Sequence, residues 1–447
     1  MGTISIDDVI AATQGKVMAR GQEVFPGIAI DSRTIRAGEL FIALRGKNFD
    51  GHDFLEKALE CGGGAVVHRE PPCFARDKTL ILVEDTLKSL HAIARHMRIK
   101  RDIPVIAVTG SNGKTTTKEL IAAVLGTVHS ILKNTGNLNN QIGLPLSLAG
   151  VSDTEEMIVL EMGASAPGDI HELCTIAAPG IGVVTNINYT HLESFRDLET
   201  IRNTKLEILG YVHTIVVNAD DLFLMEGLDH SGYRGRVIRY GIHQEAEVRA
   251  VDIQLYDTGS CFQILFRGTE SLRVHPKISG AFNISNILAA AAVGYLLEID
   301  LAHIREGIES FTGVPMRLQM REMDGIRVIS DVYNANPASM EAALRELVRI
   351  KKGRAVAVLG DMLELGIYGE EAHRKIGRLL TELSVDVFIA VGPLMAYAAS
   401  EYPGTVLTAT TSEEAGNLLK RIWNAGDTVL VKGSRGMRME RVLADGP

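Results

Sequence analysis

Residues 105–117 read Val-Ile-Ala-Val-Thr-Gly-Ser-Asn-Gly-Lys-Thr-Thr-Thr, and no other stretch of the chain restricts the fold as much. Val105 to Val108 is apolar and rich in β-branched residues, which reads as a buried strand. Gly110 and Gly113 break that pattern. Beyond them Leu120, Ile121, Val124 and Leu125 recur at helical spacing. Strand, glycine loop, Lys-Thr and helix is the setting in which a loop can hold phosphate. The backbone N–H groups of Gly110, Ser111, Asn112 and Gly113 can close on an anion, and the helix N-terminus adds partial positive charge. Lys114 would reach the β- and γ-phosphates, and Thr115, followed by Thr116, would offer a hydroxyl to Mg²⁺. The spacing is short. The common form carries a glycine five residues before Gly113, where this chain has Val108. An ordinary glycine turn with a solvated lysine is the alternative.

A chain of 447 residues is long enough for about three domains. Its 46 % hydrophobic and 23 % charged content is that of a folded globular protein. The net charge is −9 and the basic runs at 98–101 and 351–354 are short, so nucleic acid is not the expected partner. The N-terminus shows no charged region followed by an apolar core. The longest apolar run, residues 287–297, is too short to span a bilayer and reads as a buried alanine-rich helix. Neither a signal peptide nor membrane insertion is expected. Cys61, Cys73, Cys174 and Cys261 are scattered, without metal-ligand spacing, which fits reduced thiols in a cytoplasm.

The pattern divides into three α/β units. Residues 1–84 mix short strand candidates (28–30, 40–44, 65–67, 80–83) with a helix at 54–61 that stops at Gly62-Gly-Gly64. The loop residues Asp31-Ser-Arg33 and Asp50-Gly-His-Asp53 hint at binding, although turn chemistry alone accounts for them. Residues 85–313 open with a connecting helix at 86–98. They then alternate strands (105–108, 130–132, 157–160, 182–187, 214–218) with helices, which implies a mostly parallel sheet. Residues 314–447 repeat the alternation, with strands at 327–330, 355–359, 387–391, 406–408 and 428–431 and helices at 339–350, 370–383 and 412–423. That third unit is Rossmann-like, but no Gly-x-Gly-x-x-Gly follows its first strand, so a dinucleotide cofactor is not supported.

In parallel sheets ligands sit beyond the carboxyl ends of the strands, so the polar residues there are the candidates for chemistry. Glu161 follows the strand at 157–160, where a nucleotide enzyme places a Mg²⁺ ligand; alone it would read as a solvated acid. His191 lies past the strand ending at Ile187 and is equally a metal ligand or a structural histidine. Lys205 reads as one more helix lysine. Arg317 and Asp331 bracket the start of the third unit, where Arg317 can neutralise phosphate charge from across a domain gap; a surface ion pair is the alternative for each. Together these residues argue for Mg-ATP and phosphoryl chemistry without naming the acceptor.

Thr109-Gly-Ser-Asn-Gly-Lys-Thr-Thr116 resembles the ATP loop of the Mur ligase family, in which the short spacing is a family mark. Four further stretches carry the resemblance over essentially the whole chain: Asn134 to Pro145, Asp331 to Pro337 with Ser339 and Met340, Leu359 to Gly366, and Val431 to Met437. They are similar to the branch that joins D-Ala-D-Ala to UDP-MurNAc-tripeptide. Asp31-Ser-Arg33, Leu40 to Leu44 and Asp50-Gly-His52 resemble that branch's first domain, and the Asp-Asn-Pro-Arg mark of a sister ligase is absent. The resemblance implies an ATP-dependent amide ligase of peptidoglycan precursor synthesis. ATP and Mg²⁺ are its cofactors and a monomer is expected.

By resemblance, Lys114 contacts phosphates and Thr115 and Glu161 hold one Mg²⁺. His191 joins a second, supported by Lys205 as a carbamate. Asn283 and Asn286 match the adenine-side motif, and Arg317, Asp331 and Asn334 match ATP contacts from the third domain. Asn137 and Asn140 match positions near the muramoyl-peptide, and Ser32 and Arg33 its nucleotide end. Phe282 departs from the family's Gly-x-His-Asn, exchanging a hydrogen-bonding ring for one that only packs or stacks. The competing expectations are another ligase of the family, such as a folylpolyglutamate synthase, and a nucleotide-gated binding protein without ligase activity.

Overall fold

A computed structural model describes residues 2–46, 48–72, 77–190 and 192–443. Cys73 and His191 lie outside the described residues. Three large sheets succeed one another along the chain, each strand run alternating with helices as expected, and a small antiparallel pair joins Ile4–Ser5 to Val24–Phe25.

The first sheet has five strands in the order Lys16–Ala19, Thr79–Leu82, Gly64–Val67, Leu40–Ile42 and Ile28–Ala29. All neighbours are parallel except Lys16–Ala19, which runs against Thr79–Leu82. The expected helix at 54–61 is the helix Leu55–Cys61, preceded by a 3₁₀ turn Gly51–Phe54 that Asp50 caps through the His52 N–H. The connecting helix is longer than its periodicity suggested, running Thr86–Lys100 because Asp85 caps two N–H groups at its start and Arg98 and Lys100 suit its C-terminal dipole.

The middle sheet has nine strands. Val105–Thr109 is third from one edge, flanked by Met157–Glu161 on one side and Ile181–Val184 on the other. The chain passes from one flank of Val105–Thr109 to the other, which makes its carboxyl end a topological switch point. Val248–Leu255, Ser260–Phe266 and Glu270–Val274 close one edge as an antiparallel meander that the reading for a parallel sheet did not include. Burial alternates along Val248–Leu255, and the more buried face changes at a bulge after Val251, where Asp252 sits at φ 53°.

The apolar run at 287–297 lies in the helix Ala281–Leu296, most of which is buried. It packs on the phosphate-loop helix Lys114–Leu125 and buries Ile121, Val124, Ile287 and Val293 in one core. No helix among the described residues is long and apolar enough to cross a membrane.

The third sheet runs Gln319–Met323, Ile326–Asp331, Thr428–Lys432, Ala355–Gly360, Val387–Val391, Thr405–Ala409, parallel apart from its first hairpin. Its helix Pro337–Ile350 begins two residues earlier than the periodicity placed it, because Asn336 and Ser339 form a capping box and Pro337 needs no N–H partner at the first turn.

Candidate active site

The loop after Val105–Thr109 is held by its neighbours. Gly113 sits at φ 80°, and a Cβ there would lie 2.4 Å from the Asn286 Oδ1, so glycine is required both by conformation and by approach. The Ser111 N–H donates to the Asn186 carbonyl at 2.8 Å, and the Thr185 hydroxyl donates to the Asn112 carbonyl at 2.6 Å. The strand Ile181–Val184 thus holds the loop from the far side of the switch point. The Lys114 ammonium donates to the carbonyls of Gly110 and Ser111 at 2.9 and 3.1 Å, curling back over its own loop. Burial pushes its pKa down; the Glu161 carboxylate opposes that and the Arg317 cation reinforces it.

Glu161 is the last residue of its strand rather than the first beyond it, which aims its carboxylate along the sheet end. Its Oε2 accepts the Thr115 hydroxyl at 2.7 Å and its Oε1 the Asn139 amide at 2.6 Å. A carboxylate and a hydroxyl side by side are hard oxygen donors, the set Mg²⁺ takes, so the residues present fit such an ion. Lys205 lies in the last turn of the helix Leu198–Leu206 and is 2 % exposed. It makes no hydrogen bond among the described residues. Burial, and then the charge of Lys114, push its pKa down to about 7 against the pull of Asp169 and Glu207.

Residues of the third sheet meet this loop directly. The Arg317 guanidinium donates to the Thr115 hydroxyl at 3.3 Å and lies 4.0 Å over the Tyr333 ring, and the Asn336 amide donates to the Asn112 Oδ1 at 2.7 Å. Asp331 is buried, paired with the Lys432 ammonium at 2.5 Å, and so is no surface ion pair. Lys432 also donates to the Asn334 carbonyl at 3.0 Å.

All of this surrounds one cavity of about 970 Å³. Its wall brings together the loop residues Gly110 to Thr116, then Glu161 and Lys205, then Arg317, Asp331 and Asn334. Asn137 and Asn140 line it too, as do Asn283 and Asn286. Asn286 accepts from the Thr117 hydroxyl at 3.1 Å and donates to Asn283, tying the motif to the loop helix. Phe282 lines the same cavity and is 38 % exposed, free to offer a ring face. Ser32 and Arg33 do not line it; the Arg33 guanidinium is held by Asp31 on the first sheet's surface. Lys432, Tyr333, Asn336 and Asn139 also belong to the site, and residue pattern did not single them out. The lysine in Val431-Lys-Gly at a strand end was the one usable signal.

The chain matches three family models in succession: "Mur ligase family, catalytic domain" over residues 25–98, "Mur ligase middle domain" over 108–294 and "Mur ligase, glutamate ligase domain" over 316–435. It is 36 % identical to the UDP-N-acetylmuramoyl-tripeptide–D-alanyl-D-alanine ligase of Bacillus subtilis, covering 95 % of this chain and 93 % of that one. The chain belongs to the Mur ligase family. The same ligase of Escherichia coli is 32 % identical, over 93 % of this chain and 92 % of its own. Among solved structures, MurF from Acinetobacter baumannii superposes with a TM-score of 0.93 at 30 % identity, covering 100 % and 99 % of the two chains. A Thermotoga maritima MurF ligase in complex with ADP superposes at 0.83 and 32 % identity, over 93 % and 96 %. For a Mur ligase, the short loop spacing and the three successive α/β units are one pattern.

Proposed function

We propose that this Mur ligase joins D-Ala-D-Ala to UDP-MurNAc-tripeptide at the expense of ATP, giving UDP-MurNAc-pentapeptide, ADP and phosphate for peptidoglycan precursor synthesis. The observation that carries this reading is the single cavity in which a phosphate loop, an acid–hydroxyl pair and an arginine from the third sheet converge. A free carboxylate is a poor acyl donor. Its oxygen attacks the γ-phosphorus of ATP, the bond to ADP breaks, and an acyl phosphate results. The dipeptide amine, having lost a proton, attacks the acyl carbon; the C–O bond to phosphate then breaks and the amide forms.

Lys114 contacts the phosphates, helped by the N–H groups of Gly110 to Gly113 and by Thr116 at the helix start. Arg317, Asp331 and Asn334 approach ATP from the third domain, and Asn283 and Asn286 hold the base side. Thr115 and Glu161 would hold a first Mg²⁺, with His191 and a carbamate on Lys205 toward a second. Bound there, Mg²⁺ offsets repulsion between the carboxylate and the triphosphate. With its pKa near 7, the Lys205 amine is substantially neutral at neutral pH; its lone pair can form an N–C bond to CO₂, releasing a proton and leaving an anion. Asn137 and Asn140 face the muramoyl-peptide, and Ser32 and Arg33 its nucleotide end.

The divisions at 84/85 and 313/314 then separate substrate-binding, ATP-binding and ligase domains. We propose a monomer as the working form. Cys61, Cys174 and Cys261 are free thiols, in keeping with a cytoplasmic site. Incubation with ATP and UDP-MurNAc-tripeptide, with and without D-Ala-D-Ala, tests the assignment. ADP release should require the dipeptide; release indifferent to it, or stimulated only by an amino acid such as glutamate, overturns it.

A further inference from the structure

We propose that Asn139 is a positioning residue for the Glu161 carboxylate, setting the oxygen face that receives the metal ion, and that Asn134 anchors the loop from which it acts. This rests on the reading of Glu161 as a metal ligand.

The strand Ile131–Lys133 runs parallel to Met157–Glu161, and the main-chain pairing ends at Val159 opposite Lys133. There the Asn134 side chain takes over the ladder. Its Oδ1 accepts the Glu161 N–H at 2.9 Å, and its Nδ2 donates to the Glu161 carbonyl at 2.9 Å and to the Leu138 carbonyl at 2.7 Å. Asn134 is 2 % exposed, and the buried Lys118 ammonium donates to its carbonyl. One amide therefore fixes the backbone on both sides of Glu161 and also folds back its own loop.

Asn139 completes the grip. Its carbonyl accepts the Gly163 N–H at 2.8 Å, and its Nδ2 donates to the Glu161 Oε1 at 2.6 Å. Gly163 permits this approach: a Cβ there would lie 3.0 Å from the Asn139 Oδ1. The carboxylate is thus held asymmetrically. An amide N–H has no lone pair to offer a cation, so Oε1 is tied down by a donor that cannot compete for metal. Oε2 is left with Thr115, whose hydroxyl accepts from Arg317 at 3.3 Å, keeps a second lone pair and can turn its proton away. The metal face is Oε2 with the Thr115 Oγ1. Without Asn139 the carboxylate regains rotamer freedom, and that entropy is lost again on each binding event. The same loop presents Asn137 and Asn140 to the cavity, so the peptide seat and the metal carboxylate share one rigid support.

The test is Mn²⁺ affinity, read by electron paramagnetic resonance on the full chain with ADP, beside ADP affinity in EDTA. Asn139→Leu, close in size and without a donor, and Asn139→Ala, which cannot overpack, should each weaken Mn²⁺ binding roughly tenfold or more, as loss of outer-shell partners does. Metal-free ADP binding should shift by less than about threefold. Unchanged Mn²⁺ affinity in either folded variant overturns the proposal, as does an equal loss of ADP binding with and without metal. Glu161→Gln separates the two levels. If it leaves Mn²⁺ affinity intact, the metal assignment itself fails; if it weakens binding while the Asn139 variants do not, only the positioning role fails.

Discussion

Two of the clusters of titratable side chains in this molecule make opposite use of their charge. In the first domain Asp50, His52 and His68 bring possible ligand atoms within 4.8 Å of one another. Between the middle and third sheets, Lys114, Glu161, Lys205 and Arg317 share a cavity. The first cluster is spent on itself. The His52 Nδ1–H donates to the Asp50 Oδ1 at 2.7 Å, its Nε2 accepts the His68 N–H at 3.1 Å, and Arg69 pairs with the other Asp50 oxygen at 3.3 Å. A cation there would break a backbone hydrogen bond beside a guanidinium. The cavity is the reverse: Lys205 is buried without a hydrogen bond among the described residues, and Lys114 has only the carbonyls of its own loop. Close packing of ionisable groups does not mark chemistry. Unspent hydrogen-bonding and charge facing a cavity does.

Lys205→Met should separate the two regions most. Turnover should fall about 10²-fold or more, the scale of losing one placed electrostatic group. The thermal midpoint should hold or rise, because a buried amine without a hydrogen-bond partner costs free energy that a thioether does not. Bicarbonate or short carboxylates should restore part of the activity of Lys205→Ala if an anion is what the position supplies. Dipeptide-dependent ADP release and a thermal melt read both sides. A normal rate, or a large drop in melting temperature, would place Lys205 with the structural cluster.

The reciprocal experiment is His52→Leu. It leaves the His68 N–H without a partner in a half-buried setting and takes from the Asp50 Oδ1 the ring donor, although the backbone N–H of residue 52 still reaches it. It should therefore lower stability by about 1–3 kcal/mol, the cost of unsatisfied groups. ATP affinity should stay within about threefold, because the cluster lies outside the cavity. Urea denaturation and nucleotide titration measure these. A variant as stable as the parent but weak for ATP would erase the distinction drawn above.

How far such a contrast is visible in sequence depends on what each residue needs. Lys114 and Thr115 are legible because strand, loop and helix are all local patterns, and Glu161 because a strand end is. Lys205 is not: burial at the end of a helix is decided by what packs over it, and its neighbours in sequence are ordinary. Asn139 hides for another reason. In an asparagine-rich loop each asparagine is accounted for by turn chemistry, and only three-dimensional placement shows which one reaches Glu161. Arg317 and Asn336 touch the phosphate loop from more than 200 positions away, a relation no spacing encodes. The antiparallel meander at 248–274 did carry a period-two pattern in Val248–Leu255, but strand–helix alternation drew attention to parallel pairing instead.

The smallest effect is a pH dependence that belongs to the spent kind of site alone. His52 and His373, in different domains, share one arrangement: Nδ1–H donates to an oxygen and Nε2 accepts a backbone N–H, from Met362 in the case of His373. Burial pushes both pKa values below 6.5, against the pull of Asp50 on one and of the Gly369 carbonyl and Asp361 on the other. The unfolded chain takes up these protons near pH 6.5 and the native state only lower, so below that pH the unfolded state binds more protons. Their contribution to stability is whole above about pH 6.5 and declines as pH falls toward the native values. Carboxylates held below their ordinary values, such as Glu119 and Asp427, act in a lower window, beneath about 4.5. Lys205 acts in a higher one: with a native pKa of about 7 against 10.5, it makes stability rise with pH between those values. Denaturation midpoints followed from about pH 6.5 to 5, compared between the parent and a variant lacking both rings, isolate the histidines from the other shifted groups. The parent should lose stability across that range, and a His52→Gln, His373→Gln double variant should give a flatter profile at a lower level. If the slope survives both substitutions, the two histidines are not neutral structural donors, and the line between spent and unspent groups would have to be redrawn.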